Sequence, residues 1–407
     1  MHILLIHQAF AALDEPGGTR HHELARWLAA RGHRVTVIAS PVSYLTGATT
    51  RLPQDSQNLG AGQHGEGVRV IRAYTYRALH KSFVHRVFAF ISFMVSSFVL
   101  GLRVKNVDLV WGTSPPIFQG VTAWALARLR GAKFLFEVRD LWPAFAVAVG
   151  VLKNPILIRM TLWLERFLYR HADRVMVNSP GYVDHVQARG AARVAIIPNG
   201  ADPEMFDPAD KGELFRSEHQ LEDRFVVMYA GAHGMSNDLG VLLGAADLLR
   251  DLSEIRVVFV GDGKEKPSLQ AQATARGLGN VLFLPPVPKS EMGKALAGAD
   301  ACIAILKPLE AYKTTYPNKV FDYMAAGRPV VLAIDGVIRE VVEAAGGGIF
   351  SAPGDAAALA ETIRALAKDP GHAREMGLAG RKYLEVHFRR EVIAEQLLSL
   401  LEETVGS

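Results

Sequence analysis

Cysteine is all but missing from this chain, and that shortage excludes whole classes of protein before any motif is read. The single thiol, Cys302, leaves no disulfide framework and no cysteine-based zinc site. It reads as a small buried apolar residue of a reducing compartment. Long apolar runs are missing too, since none reaches the roughly 18–20 residues of a spanning helix. The opening MHILLIHQAF has no basic start and flows straight into patterned sequence, which is not how a secretory leader is built. Nor is one sign of charge in excess. The 45 basic residues face 41 acidic ones, and a net +4 is too small to argue for a nucleic-acid partner. The histidines form no metal constellation: His21 and His22 are adjacent and point in different directions from a helix. No D-x-D motif follows a strand. Neither a metal nor any other cofactor is expected.

What is present is the profile of a globular enzyme, 49% apolar over 407 residues, enough for two domains with a core each. HILLIH is a short continuous apolar run of the kind buried in a parallel sheet covered on both faces. A loop with Gly and Pro (DEPGGTR) follows, then a helical pattern, HHELARWLAARGH, and a second strand, RVTVIAS. That unit opens a doubly wound α/β domain. The alternation continues through VRVIRAY, VDLVWGTSPP, KFLFEVRD, DRVMVNSP and VAIIPNG. Near residue 200 it pauses in a polar stretch and restarts with RFVVMYAG, IRVVFVGDG, NVLFLPPV, ADACIAILKP, RPVVLAI and GIFSAP. The expected organisation is therefore a domain over 1–200, a second over 201–385, and a final helix over 386–407 packing back on the first.

The most specific signal is YPNKVFDYMAAGRPVVLAIDG, followed by Glu340. It resembles the donor-binding segment of glycosyltransferase family 4, a large family of mostly retaining enzymes with the GT-B fold. More narrowly, the chain is similar to WbuB/WcaI-like bacterial polysaccharide-assembly transferases. GGTRHHELARWLAARGHRVTVIAS, GTSPP, EVRDLWP, RHADRVMVNS, IPNGAD, YAGAHG, GVLLGAADLL and FVGDG support the likeness in the same order along nearly the whole chain. The resemblance implies two Rossmann-like domains facing a central cleft, the first binding the acceptor and the second a nucleotide-sugar donor.

The residues also make sense without the family. A helix N-terminus presents backbone N–H groups suited to a diphosphate. Pro317 to Gly327 reads as such a helix, with Pro317 and Asn318 at its start and AAG at its end. Lys319 in the first turn opposes the helix dipole unless a phosphate is the anion it meets; otherwise it is a solvated lysine. The family carries two glutamates eight positions apart, the second holding the ribose and the first facing the donor sugar. Asp322 matches the second, one methylene shorter. Thr314 stands at the first and carries no charge. Glu310 is either a substitute or a surface loop charge.

A basic pair common in the family falls here on Ala232 and Asn237, so Lys319 is expected to supply the missing cation. Gly231 and Gly234 let the backbone approach phosphates. Gly261, in FVGDG, does the same or simply makes a tight turn. Val287, closing NVLFLPPV, is placed at the donor by the same resemblance.

In the first domain, Gly17, Gly18 and Thr19 lie in the loop after the first strand, where open α/β sheets bind ligands. The resemblance assigns the glycines to the donor, and Thr19 and Arg20 to the acceptor; Arg20 and His21 also read as helix-face residues without a duty. In EVRDLWP the family's histidine beside the donor sugar is replaced by Arg139. Glu137 and Asp140 are candidate acceptor contacts, with Asp140, Arg139 and Lys319 expected at the reacting centre. An Asp at a strand end also serves as a helix cap.

Between Arg86 and Arg103 runs VFAFISFMVSSFVLGL, uncharged, flanked by Lys81, Arg86, Arg103 and Lys105. It is either a buried helix or an interfacial anchor. ILIRMTLWLERFLYRHADR mixes apolar residues, among them Trp163 and Phe167, with arginines at helical spacing. Helices near 80–105 and 152–171 are thus expected to face a membrane surface. The reading is a metal-independent, retaining hexosyl- or N-acetylhexosaminyltransferase. It would use a UDP-sugar and a lipid-linked saccharide acceptor in surface polysaccharide assembly, at the inner face of the cell membrane. A nucleotide-sugar 2-epimerase of the same architecture and an inactive membrane-bound scaffold are the alternatives.

Overall fold

The computed structural model describes residues 1–15, 17–42, 58–59, 67–77 and 83–407. Its chain forms two compact units, the first built from Met1–Leu13, Gly17–Pro198 and Glu391–Ser407, the second on Asn199–Arg390.

The strands of the first unit are β1 (His2–Ile6), β2 (Arg34–Ala39), β3 (Asn58–Leu59), β4 (Val68–Arg72), β5 (Leu109–Ser114), β6 (Lys133–Val138), β7 (Arg174–Val177) and β8 (Val194–Ile196). They make one sheet in the order β3-β4-β2-β1-β5-β6-β7-β8. All neighbours are parallel except the β3–β4 pair at one edge. β1 is buried along its whole length, as its unbroken apolar run requires. Register places Ile3 beside Val35 on one side and beside Leu109 on the other.

Each face of this sheet has its own apolar layer. Leu24, Leu28, Ile393, Leu397 and Leu401, from helices Arg20–Ala30 and Arg390–Gly406, cover Ile3, Leu5 and Val37. On the other face Phe93, Ala123, Leu126 and Leu168 join Val110, Phe134 and Phe136. They come from helices Phe83–Gly101, Phe118–Arg130 and Pro155–His171. The last begins where Asn154 accepts bonds from the N–H groups of Ile156 and Leu157, with Pro155 in the first helical position.

The helix Phe83–Gly101 has two characters. Phe93, at 1% exposure, sits in the core with Ala89 and Ser97, whereas Phe88 is 57% exposed and continues outward through Ile91, Val95, Val99 and Leu102. Spacings of three and four set those side chains in one stripe along the helix. Ile156, Met160 and Trp163 are exposed on the helix Pro155–His171 of the same layer. Among the described residues no helix is long and apolar enough to cross a membrane. Lys81 lies outside the described residues.

The second unit carries β9 (Phe225–Ala230), β10 (Ile255–Val260), β11 (Val281–Leu284), β12 (Ala301–Ile305), β13 (Val330–Ala333) and β14 (Gly348–Phe350), all parallel, in the order β11-β10-β9-β12-β13-β14. The strand order reverses beside β9, so the loops after β9 and β10 lie where such sheets bind ligands. Cys302 is fully buried in β12, and burial pushes its thiol up to about 12.

Candidate active site

In the second unit, two glycine turns and one helix start meet at the C-terminal ends of β9 and β10. A side chain at Gly261 would strike the carbonyl oxygen of Gly231, so the two turns are pressed backbone to backbone. The Gly231 N–H donates to Val260 O at 2.9 Å, and the His233 N–H donates to Asp262 O at 2.8 Å. Lys319 approaches from the first turn of the helix Asn318–Ala325, its Nζ about 3.1 Å from where a β-carbon on Gly231 would lie. Pro317 caps that helix with its backbone still extended, one residue before the helix proper, and Gly327 closes it in the left-handed conformation.

Among the described residues Lys319 has no counter-ion. Its Nζ donates to the Tyr229 hydroxyl at 2.6 Å, lies 3.9 Å from the centre of that ring, and is 3.5 Å from Asn237 Oδ1. No carboxylate pairs with it among the described residues. Loss of solvation drops its ammonium to about 7. A half-buried cation without a carboxylate partner among the described residues is poised for an anion. His233 is buried against Tyr229, Phe259 and Phe283, and neither ring nitrogen has a hydrogen-bond partner among the described residues. Burial and then the Lys266 and Lys319 charges lower it to about 4, so it stays neutral.

Asp322 occupies the next turn of the lysine helix, and Lys289 Nζ meets its Oδ1 at 2.5 Å in a largely buried pair. The other donor expectations are more scattered. Thr314 donates its hydroxyl to Ala311 O at 2.7 Å inside the short helix Glu310–Thr314. Glu310 is a surface charge paired with Lys313 at 2.8 Å. Asn318 carries a buried, unpartnered Oδ1, and the Asn199 amide donates to Tyr316 O at 2.9 Å just ahead of Pro317. Gly234 has open space around its α-carbon apart from Asn237, and Val287 packs partly buried on the core.

In the first unit, the C-terminal ends of β1, β5 and β6 hold a buried polar cluster. Glu137 is wholly buried and accepts from His21 Nε2 at 2.5 Å, Trp111 Nε1 at 3.1 Å and Arg20 Nε at 3.3 Å. Those partners outweigh burial and hold its carboxyl at about 2. Arg20 also donates to Pro198 O at 2.6 Å and Ile197 O at 2.8 Å. Glu137 and Arg20 thus lie in an internal ionic knot that ties the helix Arg20–Ala30 to β6 and to the turn after β8.

Arg139 donates to Ser114 O at 3.2 Å and Pro115 O at 3.3 Å. Asp140 is half-buried, and its carboxylate accepts no hydrogen bond among the described residues. Burial raises that carboxyl to about 6 against the pull of Arg139. Gly18 faces open space, while a side chain at Gly17 would press on Ala11. Thr19 donates to Glu23 at 2.5 Å.

Tyr229, His233, Lys289 and His7 go unnoticed in the sequence. Among the described residues no three His, Cys, Asp or Glu side chains gather into a metal-holding group.

Comparison with known proteins agrees with this architecture. Residues 17–200 match the glycosyl transferase 4-like domain, and residues 224–369 match glycosyl transferases group 1. Together they define a two-domain glycosyltransferase of the GT-B class, and the chain belongs to glycosyltransferase family 4. It is 25% identical over 393 residues to the putative colanic acid biosynthesis glycosyl transferase WcaI of Escherichia coli K12, spanning 93% of this chain and 94% of that one. Sucrose-phosphate synthase from Thermosynechococcus elongatus superposes with a TM-score of 0.77 at 20% identity, over 99% of this chain and 98% of that one. Anabaena HepE in complex with UDP-glucose does so at 0.73 and 18%, over 99% and 100%. At such identities the likeness to solved structures carries the fold alone.

Proposed function

We propose that this glycosyltransferase takes a hexosyl or N-acetylhexosaminyl group from a UDP-sugar and passes it, with retention, to a lipid-linked saccharide in surface polysaccharide assembly. The observation that carries the donor side is Lys319, a desolvated cation with no carboxylate partner, over the glycine turn after β9. A diphosphate supplies the missing charge, with the N–H groups at the start of Asn318–Ala325 beside it. Asp322, held by Lys289, is the ribose acceptor in this reading. HepE, a GT-B neighbour, is seen with UDP-glucose, which supports a uridine nucleotide. The likeness to WcaI supports a polysaccharide acceptor.

In the reaction the donor's own phosphate oxygen accepts the acceptor hydroxyl proton as the glycosidic bond breaks on the same face. The protein orients both partners and stabilises the departing diphosphate. Lys319 provides that stabilisation, while Arg139 and Asp140 orient the saccharide.

The lipid side rests on the apolar stripe of Phe88, Ile91, Val95, Val99 and Leu102, flanked by Arg86, Arg103 and Lys105. Exposed Ile156, Met160 and Trp163 alternate with exposed Arg159 and Arg166 on the helix Pro155–His171. Apolar stripes rimmed by cations suit the inner surface of a membrane, where lipid-linked acceptors are presented.

A panel of nucleotide sugars, assayed with and without a polyprenyl-diphosphate-linked saccharide and with excess EDTA, tests the reading. Acceptor-dependent transfer from a UDP-sugar that survives EDTA is expected. Isomerised nucleotide sugar without acceptor would instead mark an epimerase, and no turnover with any donor would mark a scaffold.

A further inference from the structure

His7 directly follows β1, and its ring centre lies 4.1 Å from that of His21, the second residue of the helix Arg20–Ala30. Both side chains are buried, and among the described residues each leaves one ring nitrogen without a partner: Nε2 of His7 and Nδ1 of His21. Gln8 Oε1, in the same turn, is buried and unpartnered too. Unpaired buried polar atoms are costly, and their clustering at the ligand edge of an α/β sheet calls for an explanation.

The surrounding bonds settle which nitrogen carries each proton. The Gln119 Oε1 accepts from the Gln8 N–H at 2.7 Å, so the Gln119 nitrogen is the atom facing Thr113 and Pro115. That nitrogen donates to Thr113 Oγ1 at 2.8 Å. Buried Thr113 has no other acceptor for its hydroxyl proton among the described residues, so that proton points at His7 Nδ1, 3.0 Å away. His7 is therefore protonated on Nε2, a donor with no acceptor. His21 is the converse. Its Nε2 faces the Glu137 carboxylate, which only accepts, so the proton lies there. Burial weakens the ring's hold on a second proton, with Glu137 opposing and Arg139 and Arg20 acting in the same direction as burial. Nδ1 is left as a lone pair with no donor.

One unpaired donor and one unpaired acceptor on adjacent rings match a single group that both accepts and donates. We infer that His7 and His21 form a hydroxyl-binding couple, His7 Nε2–H donating to the oxygen and His21 Nδ1 accepting its proton. The hydroxyl belongs either to the saccharide of a bound substrate or to an enclosed water. The saccharide source rests on the transfer reading above; the couple itself does not.

The test uses the full chain with ¹⁵N-labelled histidine. Nitrogen shifts should report the Nε2–H tautomer in both rings of the ligand-free protein. UDP, UDP-glucose, UDP-N-acetylglucosamine and octyl glucoside are then titrated as probes. Movement of His7 Nε2 and His21 Nδ1 together, by a sugar-bearing probe and not by UDP, identifies a saccharide hydroxyl. Two variants separate this from a merely structural role. His7→Gln carries an amide nitrogen near the position of Nε2, whereas His7→Asn reaches only as far as Nδ1. With a saccharide hydroxyl, both variants melt alike, and Asn loses roughly tenfold in affinity for the responding probe while Gln retains it. With an enclosed water, the Asn variant melts several degrees lower than the Gln variant, and no probe moves the resonances. An Nδ1–H tautomer in either ring overturns the couple. So do Gln and Asn variants that match in both melting and probe affinity. Failure of every donor in the transfer assay would leave the tautomer and melting results standing, so the two readings fail separately.

Discussion

Lys319 joins two demands that pull in opposite directions in the ligand-free chain. Its proximity to Tyr229 and the Gly231 turn removes water from the ammonium, and no carboxylate restores the lost solvation. Lys319→Ala should weaken nucleoside-diphosphate binding about tenfold to a hundredfold, the worth of a charge-assisted contact of about 1.5–3 kcal/mol, while sparing the nucleoside. Calorimetry with UDP and uridine checks this; equal losses for both would remove Lys319 from the phosphates. The same residue predicts a pH signature. A lysine held at about 7 binds fewer protons folded than unfolded between pH 7 and its ordinary value, so its cost to stability is full below pH 7 and fades as pH rises. Lys319→Met should accordingly raise the melting temperature at pH 6–7 and lose that advantage toward pH 10. Asp322 behaves differently because it is paired. Asp322→Ala strands Lys289 in a buried setting, which costs about 3–5 kcal/mol, and it should also raise the donor KM. Asp322→Glu should keep partial activity. Normal donor binding by a folded Asp322→Ala protein would show that the ribose lies elsewhere.

At the scale of the element, the helix Phe83–Gly101 explains why its sequence reads two ways. A uniformly apolar composition conceals an unequal pair of faces: Phe93 lies in the layer over β5 and β6 with Ala89 and Ser97 buried on the same helix, and the Phe88 stripe is exposed. Phe88→Ser together with Val95→Ser removes apolar area already in water, so the melting temperature should hold within about 1 kcal/mol of stability. The same pair should release the protein from anionic liposomes in a flotation assay. Salt should mimic the release, because each flanking cation contributes on the order of 1 kcal/mol at a charged surface and is screened. Phe93→Ser should instead destabilise the first unit by about 3–5 kcal/mol, the ordinary cost of emptying a buried aromatic site. Flotation unaffected by the Phe88 and Val95 changes would reject the membrane surface.

At the scale of the whole chain, the first unit takes one of its apolar layers from residues far from the rest of it in sequence. Ile393, Ala394, Leu397, Leu400 and Leu401 complete the layer over Ile3, Leu5 and Val37, so one face of the first unit is finished by the last residues of the chain. Each large aliphatic side chain is worth about 2–5 kcal/mol when buried, and their sum rivals the 5–15 kcal/mol that holds a domain. Removing Glu391–Ser407 should therefore unfold the first unit while the second persists. Limited proteolysis read by mass spectrometry checks it: a resistant fragment close to Asn199–Arg390 is expected, and equal survival of both units would contradict it.

How much of this was legible beforehand follows from what each pattern encodes. The strand pattern of two parallel sheets could be read in order because buried parallel strands are local apolar runs between turn residues, as HILLIH and RVVFVGDG show. The exception, Asn58–Leu59, is too short to have a period. The helix of Lys319 and Asp322 was equally plain, because proline, glycine and apolar spacing mark its ends and its face within one segment. Pairings across long sequence gaps had no such signal. Nothing local says that Lys289 reaches Asp322, that Glu137 gathers Arg20, His21 and Trp111, or that His7 and His21 each keep a nitrogen unpaired. The adjacent His21 and His22 read only as residues pointing apart on a helix, with nothing to mark His21 as a neighbour of His7. Local chemistry thus determined the elements and the helix of Lys319 and Asp322, while burial and long-range hydrogen bonding, which exist only once the chain is packed, decided which polar groups are matched and which have no partner among the described residues.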